Sequence, residues 1–154
     1  MIRVLGSALI WLGHKIPFIA SNMLVMVILH GNSRQFWPKI PLLSLRNESV
    51  PEHCRLLFNT LALVTLGQAV IGRFPRERWW PRAVVLAALP AALPLLIAFG
   101  DKVLRLRDQA AERYNLSLVP LLPIGATLLE DTLAKQRSQQ QQLDRESVLE
   151  KLEQ

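Results

Sequence analysis

The hydrophobic positions of this chain fall into long uncharged runs that short polar stretches separate. The two longest runs, residues 56–72 and 83–100, flank the turn RFPRERWWPR, which holds four arginines and two tryptophans. A helix needs about 20 mainly apolar residues to cross a bilayer, and tryptophan and arginine are typical of the positions where it leaves the hydrocarbon. The pattern predicts a transmembrane helical hairpin over residues 56–100.

Two further apolar runs lie outside this hairpin, and prolines and a glycine interrupt the second of them. The sequence therefore predicts an all-α integral membrane protein with about four short hydrophobic helices around the central hairpin. The predicted membrane domain covers residues 1–129, with segments at about 4–30, 56–72, 83–100 and 116–129. Between the last two segments, residues 101–114 are predicted to form a helix that begins at Asp101 and either lies on the membrane surface or continues the preceding helix outward. The number of segments that cross the membrane stays open, from two to four.

Residues 130–154 differ in character, because they are polar and rich in glutamine and charged side chains. Glutamine forms helices well, and this stretch is predicted to be a polar C-terminal helix or tail. Its few apolar side chains are too sparse for a stable coiled coil alone, so they are predicted to bind a partner. These positions are Leu143, Val148, Leu149 and Leu152.

Composition and charge narrow the possible environments. Hydrophobic residues make up 51% of the 154 residues, mean hydropathy is +0.24, and the net charge is +6. The basic residues gather at the ends of the apolar runs, which favours lipid headgroups over nucleic acid as their partner. The single cysteine, Cys54, excludes an internal disulfide.

The distribution of lysine and arginine predicts the orientation, because these residues are enriched in cytoplasmic loops. Four spans with both ends inside place ten of them in the cytoplasm and eight outside. Three spans give twelve and six, and the hairpin alone gives fourteen and four. The better orientation of each arrangement places the C-terminal tail in the cytoplasm, so the sequence predicts a multi-pass protein of the inner membrane.

Two sets of residues are predicted to hold the membrane domain in place: one anchors it at the membrane interface, and the other packs its helices together. The anchors at the membrane interface are basic or tryptophan residues next to the apolar runs: Trp37, Lys39, Arg76, Arg78, Trp79, Trp80 and Arg82. The helix-packing residues are polar, small or proline residues within the hairpin, since lipid does not satisfy a free backbone or side-chain polar group: Asn59, Gly67, Gln68, Pro90 and Pro94.

The common sequence motifs for catalysis, phosphate binding and metal binding are absent from the sequence. It contains no glycine-rich phosphate loop, no H-E-x-x-H, no C-x-x-C and no G-x-S-x-G, so it predicts no enzyme, no catalytic residue, no metal site and no cofactor. The best candidate for ligand chemistry is the histidine pair His30 and His53, with Cys54 and Glu52 beside it. A haem or metal carrier that uses this pair is one alternative function.

The favoured function is a small non-enzymatic accessory subunit, scaffold or assembly factor of a larger membrane complex. Its expected partners are other subunits of that complex and lipid headgroups, not nucleic acid, and it could form a homo-oligomer. The hairpin cores contain no ionisable residue, which argues against a pump or a transporter of charged substrates. A second alternative is a self-associating, membrane-permeabilising protein of the holin type.

Overall fold

The described part of the chain is a bundle of four α-helices. A computed structural model describes the backbone of residues 2–31 and 40–152 and the side chains of residues 15–31 and 40–152. Within those ranges no residue lies in a strand, which confirms the predicted all-α class. The helices are α1 (Ile2–His30), α2 (Val50–Val70), α3 (Trp79–Ala98) and α4 (Asp108–Leu152).

The helices were predicted to be short, but α4 is long: it combines the fourth apolar segment and the polar tail in one helix. It runs for 45 residues, with Pro120 and Pro123 inside. Most side chains after residue 134 are Gln, Glu, Lys, Arg or Leu, which lose little rotamer freedom in a helix. The helix therefore continues beyond the bundle, and residues 135–152 are exposed throughout.

The four helices alternate in direction around a shared core. Helix α1 packs on α2, α2 on α3, α3 on α4, and α4 returns to α1. Leu57, Leu61, Val85 and Ala126 are among the fully buried side chains at the centre. We call the end where α1 stops and α2 begins the histidine end, and the opposite end, where α2 stops and α3 begins, the charge end.

The connection between α3 and α4 differs from the predicted helix over residues 101–114, both as a surface helix and as a continuation of α3 beyond residue 103. After α3, one π-helical turn covers Phe99–Val103, and residues 104–107 are not helical. Arg105 adopts a left-handed conformation with φ of 52°, which breaks the helix that was predicted to begin at Asp101. The ring of Tyr114 packs against Gly100, where a Cβ atom would lie 2.5 Å from the ring. The chain turns at the non-helical residues 104–107, and this turn brings the start of α4 back against the end of α3.

Two of the described helices include long apolar stretches. The stretches 76–103 and 108–152 are long and apolar enough to cross a membrane, whereas the apolar helix 15–30 is shorter. Helix α2, the first helix of the predicted hairpin, is not among the described helices that meet this criterion. In 76–103 the most apolar 18-residue window has a mean hydropathy of 2.3, and only 17% of it is buried. The core helix of a soluble protein would be mostly buried, so this exposure supports a membrane location.

Candidate functional site

The charge end holds a group of ionised side chains from three of the four helices and from the turn before α3. We call this group the charge cluster. A single 3₁₀ turn, Arg76–Arg78, leads directly into α3 and presents its last residue to α4. The members are Lys15 of α1, Arg78 of that turn, Arg82 of α3, and Glu130 and Asp131 of α4.

The centre of the charge cluster is the ion pair between Arg82 and Glu130. Nε of Arg82 donates to Oε2 of Glu130 at 2.6 Å, and the two side chains are only 5% and 2% exposed. A second guanidinium nitrogen donates to Thr65 Oγ1 at 2.9 Å and to Gln68 Oε1 at 3.3 Å, both on α2. The guanidinium carbon also lies 4.2 Å from the ring centroid of Phe18 on α1. One arginine thus contacts all three other helices.

A second layer of ion pairs surrounds this centre. Arg78 donates to Glu130 at 3.1 Å and to Asp131 at 2.9 Å, and Lys15 donates to Asp131 at 2.7 Å. Two adjacent carboxylates of α4 therefore bind three cations from α1, the 3₁₀ turn and α3. The cluster borders a cavity of about 480 Å³, which Arg73 also lines. The arrangement ties the helices together and keeps a net positive charge at this end.

The histidine end brings together three side chains from three segments. His30 ends α1, His53 lies in the first turns of α2, and Glu48 precedes α2. Oε2 of Glu48 lies 3.4 Å from Nε2 of His53 and 3.7 Å from Nε2 of His30. These three residues line a cavity of about 600 Å³ whose other walls are mostly apolar. Such a set of donors is able to hold a metal ion.

The predicted neighbours of the histidines lie elsewhere. Glu52 pairs with Arg55 at 2.6 Å and accepts the backbone N–H of Arg46, so Glu48 takes its place as the carboxylate beside the histidines. Cys54 packs against the hydrophobic core. Burial raises the pKa of its thiol above the ordinary value of 9.0.

The predicted interface anchors fall into three groups. Arg76, Trp79 and Trp80 are exposed at the charge end, where an interface anchor would lie. Arg78 is partly exposed, and Arg82 is buried in the bundle instead of facing headgroups, because Glu130 neutralises it there. The other two predicted anchors, Trp37 and Lys39, lie outside the described residues.

The predicted helix-packing residues also divide. Gln68 joins α2 to α3 through Arg82, but Asn59 donates to the carbonyls of Leu42 and Leu43 in the preceding loop. A Cβ atom on Gly67 would meet nothing within 4 Å, so this glycine does not serve a close helix contact within the chain. The two prolines of α3 are less buried than predicted: Pro90 is partly buried and Pro94 is exposed.

The four predicted partner-binding residues are all exposed on α4. They do not share one face, since successive residues of a helix are about 100° apart. Val148, Leu149 and Leu152 fall within an arc of about 100°, whereas Leu143 lies about 180° from Leu152. Only the last three form a continuous apolar stripe, which we call the tail stripe.

Sequence reasoning missed Glu48 and Glu130. Glu130 directly follows the uncharged run 114–129, and Arg82 directly precedes the uncharged run 83–100. In antiparallel neighbouring helices these two positions lie at the same depth, which is the signal that could have paired them. Glu48 has no such signal, because a loop positions it.

Comparison of the chain with models of protein families, with curated proteins and with solved structures found no match. The function is therefore inferred from the residues and geometry of the chain itself.

Proposed function

We propose that this chain is a four-span protein of the inner membrane that acts as a non-enzymatic accessory subunit or assembly factor of a larger complex. Between its two ends each helix is uncharged, over residues 16–29, 56–72, 83–100 and 114–129. These runs of 14 to 18 residues rise about 21–27 Å as helices. That length approaches the roughly 30 Å thickness of the hydrocarbon core. The exposed tryptophans at the charge end would lie at the membrane interface and extend the part of the bundle that fits within the bilayer.

In this proposal both chain ends face the cytoplasm. The first half of α1 and the last twenty residues of α4 extend past the charge end, where Lys15 meets Asp131. The orientation that leaves more lysine and arginine residues in the cytoplasm then places the histidine end on the other side of the membrane.

The single cysteine tests this orientation. Cys54 lies near the histidine end, so a membrane-impermeant maleimide is expected to label it in intact cells. The two-span and three-span arrangements with a cytoplasmic tail both place Cys54 inside, where it would be labelled only after lysis. As a control, Ser147→Cys in a Cys54→Ser background should react only in lysed cells. Labelling of Ser147→Cys in intact cells would contradict the proposal.

The pH dependence of the same reaction tests the environment of the thiol. The thiolate is the nucleophile, and burial raises the thiol pKa, so labelling of Cys54 should be slow at neutral pH and accelerate as the pH rises. Asn47→Cys in the Cys54→Ser background provides an exposed thiol at the same end and should react faster at each pH. Equal rates at neutral pH would show that Cys54 is not shielded.

The observation that carries the accessory role is the uncovered face of α3. Ala83, Ala87, Ala91 and Leu95 recur every four residues, and all are exposed. In membranes, small residues at this spacing let two helices approach closely. Such a face fits a transmembrane helix of another subunit.

Pro94 is a second observation that supports a partner on this face of α3. A proline inside a helix leaves the carbonyl four residues earlier without its hydrogen bond, which here is the carbonyl of Pro90. Lipid offers no donor, so membrane proteins satisfy such groups with a neighbouring helix, a hydroxyl or water. Because Pro94 is exposed, the partner that covers it is expected to come from another chain.

Photo-crosslinking in living cells tests this contact. A benzophenone amino acid at Ala91 is expected to give one discrete adduct, and mass spectrometry should identify its second component as a different membrane protein. The same probe at Gly67, which is exposed on α2, is the matched control and should not give that adduct. An adduct between two copies of this chain would instead support the self-associating, holin-type alternative, and equal adducts from both positions would contradict a specific face.

A further inference from the structure

The loop before α2 holds the histidine end in a defined arrangement. The backbone N–H of Leu45 donates to the carbonyl of Leu29 at 2.9 Å, which fixes the loop against the last turn of α1. Three residues later the loop presents Glu48 to both histidines. The fold of the backbone therefore brings Glu48 close to His30 and His53.

The hydrogen bond of His53 determines which of its ring nitrogens is available. Nδ1 lies 2.9 Å from the backbone carbonyl of Ser49. A carbonyl oxygen only accepts, so Nδ1 carries a hydrogen, and in the neutral ring Nε2 presents its lone pair toward Glu48. A backbone carbonyl that orients the second nitrogen in this way is typical of metal-ligating histidines.

The spacing of the donor atoms fits a tetrahedral ion. Bonds of 2.0–2.2 Å from Zn²⁺ to histidine nitrogen and carboxylate oxygen separate neighbouring ligand atoms by about 3.4 Å. The two nitrogen-to-oxygen distances are 3.4 and 3.7 Å, and all three donor atoms lie within 4.8 Å of one another. To reach the tetrahedral spacing, no pair of these donor atoms has to move closer by more than about 1.4 Å. The Glu48 side chain is 73% exposed, so it is free to adjust with them.

We infer that His30, Glu48 and His53 form a binding site for a divalent metal ion of the zinc class at the histidine end. Two histidines and one carboxylate supply three ligands, and the fourth position is left to water or to a group in the adjoining cavity of about 600 Å³. The site lies at the end of the bundle opposite to the tail. Its metal binding therefore does not depend on the accessory role proposed above.

Titration of the purified full-length protein tests this site. The protein is isolated in mild detergent through a histidine-free tag, stripped with a chelator and titrated with Co²⁺, whose visible absorption reports tetrahedral coordination, and then with Zn²⁺ in competition. We expect one ion per chain. Because even the groups that only orient a ligand account for 10–100-fold in affinity, His53→Gln and His30→Gln should each weaken binding by more than ~10-fold.

The matched control is His14→Gln, which removes a histidine about 24 Å along α1 from His30 and should bind as the unchanged protein does. Glu48→Gln alters an exposed side chain, so it keeps the test valid if a histidine variant fails to fold; it should also weaken binding. The inference is overturned if the unchanged protein binds no stoichiometric metal. It is equally overturned if Glu48→Gln or His53→Gln binds as tightly as His14→Gln.

Discussion

Replacing Arg82 with methionine is expected to lower the free energy of unfolding by about 3 kcal/mol, the low end of the range for breaking a buried ion pair. The change leaves the Glu130 carboxylate, which is 2% exposed, without its closest cation. It also removes the hydrogen bonds to Thr65 and Gln68 that join α2 to α3. The low end of the range applies because Arg78 still reaches Glu130 at 3.1 Å. Thermal unfolding in detergent, followed by circular dichroism, measures the effect.

Two further variants separate the ion pair from the loss of an arginine as such. Arg76→Met removes an exposed arginine from the turn that precedes α3, and it should unfold at nearly the temperature of the unchanged protein. The double variant Arg82→Met with Glu130→Gln removes the stranded charge and should recover part of the lost stability. If Arg82→Met and Arg76→Met unfold at the same temperature, Arg82 does not stabilise the bundle as its contacts imply.

The all-α class was predictable because long uncharged runs leave few other structures possible. The helix boundaries were less predictable: α3 begins at Trp79, inside the turn RFPRERWWPR, and α4 begins at Asp108, inside the predicted helix 101–114. The continuity of α4 was less evident, since the change from apolar to polar at Glu130 resembles a boundary between two elements. Helix propensity does not depend on that change, because leucine and glutamine both favour a helix.

The contacts at the two ends were harder to predict, because they depend on helix rotation and loop position. Arg82 appears in sequence as one more basic residue beside a tryptophan pair, and only the rotation of α3 turns it toward Glu130. The role of Glu48 depends on the position of a loop in which the backbone N–H of Leu45 donates to the carbonyl of Leu29 on α1. At Gly67 a Cβ atom would meet nothing within 4 Å, and a small residue in an apolar run indicates a close contact within the chain only if a neighbour faces it.

The second large effect is expected at the tail stripe. Helix α4 extends past the bundle, and Val148, Leu149 and Leu152 are each more than half exposed there. Polar pairs such as Gln140 with Asp144, at 3.0 Å, support the helix but cover none of these side chains. In the proposed role of an accessory subunit, the tail stripe is the surface that docks a cytoplasmic part of the complex.

The double substitution Leu149→Asp and Leu152→Asp is therefore expected to release the partner while membrane insertion stays intact. Burying two leucine side chains contributes about 3 kcal/mol or more, so the affinity should fall by roughly a hundredfold. Quantitative mass spectrometry of proteins that co-purify through an N-terminal tag measures the loss.

Leu143→Asp is the matched control, because it places the same charge on the same helix but on the opposite face. Partner recovery should stay near normal in that variant if the tail stripe makes the contact, and should fall in both variants if the charge acts only by disturbing the helix. If recovery is unchanged in the double variant, the tail does not dock the partner. The uncovered face of α3 would then have to provide the contact on its own.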